Sequence, residues 1–236
     1  SPQEIVISNK VVYSDTDSIF VSVPMKDNVP TKRSDIESDA KEFDDAKEEL
    51  VRFGKELAER FTEDAAELEF ETGLSAFFSH GAKKRYVGRM IWPKEEMIIR
   101  GYETRRSDSF TLLTNTMTSM FEYILDGNQE SAIRDVIDLI KEVKKGNANV
   151  EDLVISRSCK AFNSYANPEG LPFVKAAKRR IELGLEFTPG MKVAYVVTNT
   201  SGSTQEVEPW LVEDGGEPVS NYDPDYYSKR LAKALG

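Results

Sequence analysis

The chain has 236 residues, 39% hydrophobic and 31% charged, enough apolar content for one large domain or two smaller ones and too much for disorder. Its formal net charge of −10 argues against a general nucleic-acid binder, although acid gathers in residues 35–71 while Lys and Arg gather in 83–106 and 157–180. A single Cys159 excludes a disulfide framework and fits a reducing cytoplasm. A single His80 excludes a multi-histidine zinc site and reads as a loop residue. No apolar run reaches membrane length, and the N-terminus lacks a basic-then-apolar signal pattern.

Val11-Val12-Tyr13 and Ile19-Phe20-Val21 flank the polar run Ser14-Asp15-Thr16-Asp17-Ser18. This predicts a β-hairpin with Asp15 and Asp17 at or beside its tip, and Ile5–Ile7 pairing at its start. Residues i and i+2 of a strand share a face. Two carboxylates aimed together make a half-site for a hard divalent cation such as Mg²⁺, and the competing reading is a solvated polar turn. Residues 24–30 read as a loop. From Ile36 to Phe61, Ala40, Phe43, Ala46, Leu50, Phe53, Leu57 and Phe61 recur in steps of three and four, so one amphipathic helix is predicted.

Residues 66–71 alternate with period two and predict a strand, with Leu68 and Phe70 toward the core and Glu67, Glu69 and Glu71 on the other face. That carboxylate row fits either a solvated face or the border of a metal site. A second strand is predicted over 82–92, carrying Lys83, Lys84, Arg85 and Tyr86. Cations on a strand often only protect an edge. A cation cluster ending in an aromatic, one strand after a carboxylate row, fits a phosphate surface better.

Helical periodicity covers 112–125 and 130–145, separated by Gly127-Asn128 and closed by Gly146. Leu113, Met117, Met120, Phe121 and Ile124 form one expected core stripe. Ile133, Val136, Ile137, Ile140 and Val143 form another. A short helix or turn follows at 149–156, then a polar loop over 157–170. Pro172 opens a helix to Leu183 that carries Lys175, Lys178 and Arg179. A strand at 191–198, a return strand at 204–207, an irregular stretch at 209–225 and a helix at 226–235 complete the chain.

These landmarks fall in a known order. Tyr13-Ser14-Asp15-Thr16-Asp17-Ser18 resembles the YxDTDS signature of family B DNA polymerases, and Lys83-Lys84-Arg85-Tyr86 resembles the KKRY element that follows it. Gly101-Tyr102-Glu103, with Arg106 and Asp108, is similar to the GLExxRRD segment that opens the thumb in that family. Here Ser107 stands where the second Arg is expected, which leaves one cation in doubt. The segments 151–155, 172–179, 189–193 and 222–227 also resemble thumb landmarks of archaeal members. The family's DxxSLYPS palm motif, its KxxxNSxYG fingers helix and its exonuclease domain have no counterpart in these residues.

The resemblance implies an α+β fold. Residues 1–104 would be the C-terminal part of a palm, an antiparallel sheet with the catalytic hairpin and a packed helix. Residues 105–236 would be a mostly helical thumb. It further implies the small subunit of a split archaeal polymerase, catalysing Mg²⁺-dependent nucleotidyl transfer. Asp15 and Asp17 would be the catalytic metal ligands of a two-metal site, with Glu69 and Glu71 as further candidates. Tyr13, Thr16, Lys83, Lys84, Arg85 and Tyr86 would meet the primer end, and Arg105, Arg106, Lys175, Lys178 and Arg179 the duplex phosphates. A large partner subunit would bring the exonuclease, the fingers, the remaining palm and the other metal ligand. Primer-template DNA and dNTP would be the substrates, a sliding clamp would be reached only through the complex, and no membrane is involved. The rival reading is a non-catalytic DNA-binding or scaffold subunit of a replication complex.

Overall fold

The computed structural model describes residues 11–15, 18–23, 25–26, 28–62, 67–79, 84–102 and 108–235. The expectations at Ile5–Ile7, Thr16, Asp17, His80, Lys83, Glu103, Arg105 and Arg106, and the Asp15 side chain, lie outside the described residues. The chain divides into two compact units, Ser1–Tyr102 and Glu103–Gly236. Among the described residues no helix is long and apolar enough to cross a membrane.

In the first unit, β1 (Val11–Asp15) and β2 (Ser18–Val21) form the expected hairpin, with Tyr13 opposite Phe20 and Asp15 opposite Ser18. A separate antiparallel sheet has the order β3 (Gly73–Phe78), β4 (Tyr86–Trp92), β5 (Glu96–Arg100). Its central strand is buried on both faces through Val87, Met90 and Ile91. Helix α1 (Glu37–Phe61) packs on β3 and β4, with Phe43, Gly54 and Ala58 buried along its seam. Phe61, expected on that seam, is exposed, because it ends the helix one turn beyond Ala58.

The segment at 67–71 is not a strand. It is an unpaired extended strap, and its alternation survives only as burial: Leu68 and Phe70 are half-buried, while Glu67, Glu69 and Glu71 are exposed. Phe70 explains the departure. Its ring stacks on Trp92 at 4.9 Å and fills the notch at Gly54, where a Cβ would meet the ring at 2.4 Å. Thr62 Oγ1 accepts from the Leu68 amide at 3.1 Å and ties the strap to the end of α1. Alternation reports which side chains are covered, and here a helix covers them instead of a neighbouring strand. Similarly, β4 begins at Tyr86. Lys84 and Arg85 precede the strand, because Lys84 turns the chain with φ +61°.

In the second unit, α2 (Thr111–Leu125), α3 (Gln129–Lys144) and α5 (Pro224–Leu235) pack against one another. Gly127, at φ +75°, ends α2, and the Asn128 side chain caps α3 by accepting from the Ser131 amide at 3.3 Å. The second sheet has β7 (Lys192–Asn199) between β6 (Ile155–Ser158) and β8 (Glu206–Pro209), and α4 (Pro172–Glu182) packs on it. Leu113, Met117, Phe121, Val143, Val174, Val196, Tyr227 and Leu231 are core residues. Two expected core residues are not. Ile133 and Ile137 are 61% and 46% exposed, because α3 turns Ala132 and Val143 inward, and a line one residue round is rotated by about 100°.

Candidate functional site

Four rings tie the hairpin to the first sheet. Tyr13 of β1 lies 5.5 Å from Phe20 of β2, 6.1 Å from Phe77 of β3 and 5.5 Å from Tyr86 of β4 between centroids. Phe20 is 5.1 Å from both Phe77 and Tyr86. These separations suit edge-on and tilted aromatic packing, which adds to burial. The Tyr13 hydroxyl accepts a hydrogen bond from the Lys84 amide at 2.7 Å. Two segments 71 residues apart in sequence are thereby joined. Asp15 ends the same strand two residues beyond Tyr13, with its backbone paired to Ser18.

Below this junction the turn is held from the other side. Gly101, at φ +76°, approaches so closely that a Cβ there would lie 2.2 Å from the Lys84 carbonyl oxygen. Ser79 Oγ donates to the Arg85 carbonyl at 3.2 Å. Lys84 and Arg85 present exposed side chains, and Tyr86 is half-buried among the rings. Burial pushes the Tyr102 phenol above its ordinary value, and the Arg85 charge opposes that rise.

The structure does not bring Glu69 and Glu71 to the hairpin. Their strap lies at the Trp92 end of β4, where Gly73 pairs with Trp92. The hairpin rings lie at the Tyr86 end, about 20 Å away along seven residues of strand. Glu69 instead lines a shallow groove with Lys55 and Glu59 of α1 and Thr62 just beyond it. Among the described residues, no three His, Cys, Asp or Glu side chains converge as a metal cage.

The expected phosphate-tracking cations of the second unit differ in their freedom. Lys175 is half-buried, and its ammonium donates to the Gln205 carbonyl at 2.7 Å, so it belongs to the fold. Lys178 pairs with Glu169 and sits 5.8 Å from the Phe162 ring. Arg179 is exposed and pairs with Glu182 at 3.0 Å. Exposed pairs of this kind contribute little and exchange readily for another anion. Arg157 on β6, within the second basic window but not singled out by its motif, is exposed with its guanidinium 4.5 Å from the Phe173 ring.

The family model described as DNA polymerase family B matches residues 41–235. The chain belongs to the family B DNA polymerases. A DNA polymerase of Archaeoglobus fulgidus is 29% identical over 235 residues, covering 92% of this chain and 26% of the relative. The DNA polymerase delta catalytic subunit of Candida albicans is 26% identical, covering 96% of this chain and 20% of its own length. The chain therefore spans about a quarter or less of these relatives. The family B DNA polymerase structure of Pyrobaculum calidifontis is similar in fold, with a TM-score of 0.55 at 22% identity, over 79% of this chain and 24% of that one.

Within this family B chain, the segment Tyr222–Tyr227 has a structural task. Tyr222 donates to the Val143 carbonyl at 2.8 Å and accepts from the Ala148 amide at 3.0 Å. β6 stops opposite Tyr195, which leaves the next stretch of that edge of β7 without a strand. The Asp223 amide fills the Val197 carbonyl at 2.9 Å, and the Tyr227 hydroxyl accepts the Val197 amide at 3.0 Å. Burial pushes the Asp223 carboxyl up. The Thr200 hydroxyl and the amides of Tyr226, Thr200 and Asp225 outweigh that and hold it below the ordinary carboxylate range. Asp108 has a similar role: its carboxylate accepts from Arg230 at 2.7 Å and joins α5 to the residues before α2.

Proposed function

We propose that these residues are the C-terminal palm and thumb of a DNA-directed DNA polymerase, with 1–104 as part of the palm and 105–236 as the thumb. On this reading the chain works with a large partner subunit that carries the exonuclease, the fingers and the remaining palm. Supporting it most directly is the 2.7 Å bond from the Lys84 amide to the Tyr13 hydroxyl, which docks one family motif on the strand that leads into the other. Val11, Val12 and Ile19 are each at least half exposed, and a two-stranded ribbon is marginal by itself. Both facts favour a palm sheet completed from outside these residues.

Asp15 and Asp17 offer hard carboxylate oxygens, the donor type that suits Mg²⁺, and would hold it together with a carboxylate of the partner. When bound, the metal neutralises charge on the attacking and leaving oxygens of the phosphoryl transfer. Lys84, Arg85 and Tyr86 orient the primer end beside that site. Lys178 and Arg179 meet duplex phosphates by exchanging weak surface pairs for stronger contacts with a polyanion, and Arg157 joins them from the face of the Phe173 ring. Lys175 supports α4 from within.

The test is Mg²⁺-dependent primer extension by the chain reconstituted with its partner, given primer-template DNA and dNTPs. Asp15→Ala abolishes extension and leaves co-purification of the two chains intact. Unchanged extension in that variant removes Asp15 from the site. Extension by the isolated chain overturns the need for a partner, and duplex binding without extension by the complex favours the scaffold reading.

A further inference from the structure

We infer that Tyr13 is a positioning residue: with Gly101, it holds the Lys84 backbone in a left-handed turn that aims the lysine side chain at the primer end. This rests on the reading above, in which Lys84 contacts DNA. Among the described residues only Asn28 and Lys84 combine a side chain with positive φ. Asn adopts that region readily because its short amide bonds to nearby backbone, whereas Lys has no such compensation. Glycine would make the turn without strain but would carry no ammonium. A strained backbone kept under a charged, exposed side chain points to a use for that side chain, and surrounding contacts must hold it there.

Two contacts do so, from opposite sides. The Tyr13 hydroxyl takes the Lys84 amide at 2.7 Å, and Gly101 closes on the Lys84 carbonyl so tightly that only hydrogen fits. The Tyr13 ring is itself fixed by Phe20, Phe77 and Tyr86, so its hydroxyl is preorganised. Tyr13 therefore acts through Lys84, a positioning role beside the DNA contact that the sequence reading gives it.

The experiment is a double-mutant cycle in the reconstituted complex, using Tyr13→Phe, Lys84→Ala and both together, read by affinity for a primer-template duplex. Tyr13→Phe keeps the ring and removes only the hydroxyl. It should weaken duplex binding about five-fold, the equivalent of one ordinary hydrogen bond, and raise KM for the duplex with kcat retained. The double variant should bind no more weakly than Lys84→Ala alone, and Tyr13→Phe should speed hydrogen exchange at the Lys84 amide. Multiplying effects, or unchanged exchange at Lys84, overturn the inference. Gly101→Ala supplies a second arm with the same expected non-additivity toward Lys84→Ala. If the complex binds duplex but extends no primer, the proposed activity fails while the cycle still decides the positioning role; a complex that binds no duplex overturns both.

Discussion

Replacing Tyr227 by Phe removes one oxygen from the centre of the second unit and nothing else. Tyr227 is fully buried, and so is Val197, whose amide it accepts at 3.0 Å. The ring stays, so its edge-on contacts with Phe110 at 5.2 Å and Tyr226 at 4.9 Å stay, and no cavity larger than the hydroxyl opens. What changes is that the Val197 amide loses its acceptor on the side of β7 that β6 no longer covers. An orphaned buried amide costs about 1–3 kcal/mol. For a unit of this size that lowers Tm by roughly 3–10 °C. Thermal unfolding followed by circular dichroism gives the shift, and hydrogen exchange at Val197 locates it. A Tm within about 1 °C of the parent, with Val197 still protected, would refute the account of Tyr227 as the substitute for a missing strand.

Other outcomes follow from the same structure. Gly54→Ala gains about 1 kcal/mol of helix propensity but drives a Cβ to 2.4 Å from the Phe70 ring, so the Phe70–Trp92 stack must shift; the net effect should be destabilising by roughly 1–2 kcal/mol, with a changed Trp fluorescence, and a stabilised variant would contradict it. Asp223 titrates below its unfolded value, so its contribution is present above about pH 4 and is lost as pH falls through the folded value. Asp223→Asn should therefore lower the denaturant midpoint near neutral pH and flatten its decline in acid; parallel pH profiles for variant and parent would count against that. Burial raises the phenols of Tyr195, Tyr226 and Tyr227, so stability should also fall once the pH passes about 10, where unfolded tyrosines ionise, as tyrosinate absorbance and circular dichroism would show together.

Long helices were the most legible part of the sequence. The three- and four-residue steps of Phe43 to Leu57, and the Gly127-Asn128 break with its capping side chain, mark α1, α2 and α3 to within two residues. Short strands were less so. Gly73–Phe78 and Glu96–Arg100 carry no clear signal, because neither alternates with period two and the apolar runs Ala76-Phe77-Phe78 and Met97-Ile98-Ile99 are too short to separate strand from loop. The Glu67–Glu71 strap shows the reverse error: a clean alternation without a partner strand. At the site, the resemblance pointed to the Tyr13–Ser18 and Lys83–Tyr86 motifs, but the bond between Tyr13 and Lys84 was not legible. The resemblance assigns both residues to DNA, and no local pattern reports a contact across 71 positions. Asp108 and Arg230, 122 positions apart, were hidden for the same reason.

The way residues 222–231 close the second unit has a consequence for the order in which that unit folds during synthesis. Tyr222, Asp223 and Tyr227 supply partners to backbone at Val143, Ala148 and Val197, and Leu231 is fully buried with them. Until they leave the ribosome, the segments of α2, α3 and β7 lack these partners, with an unfilled core and open backbone groups. Contacts this distant in sequence are slow to form. The unit should thus be a late, all-at-once folder, protease-sensitive in any nascent chain that stops short of Tyr222 and protected once α5 has emerged.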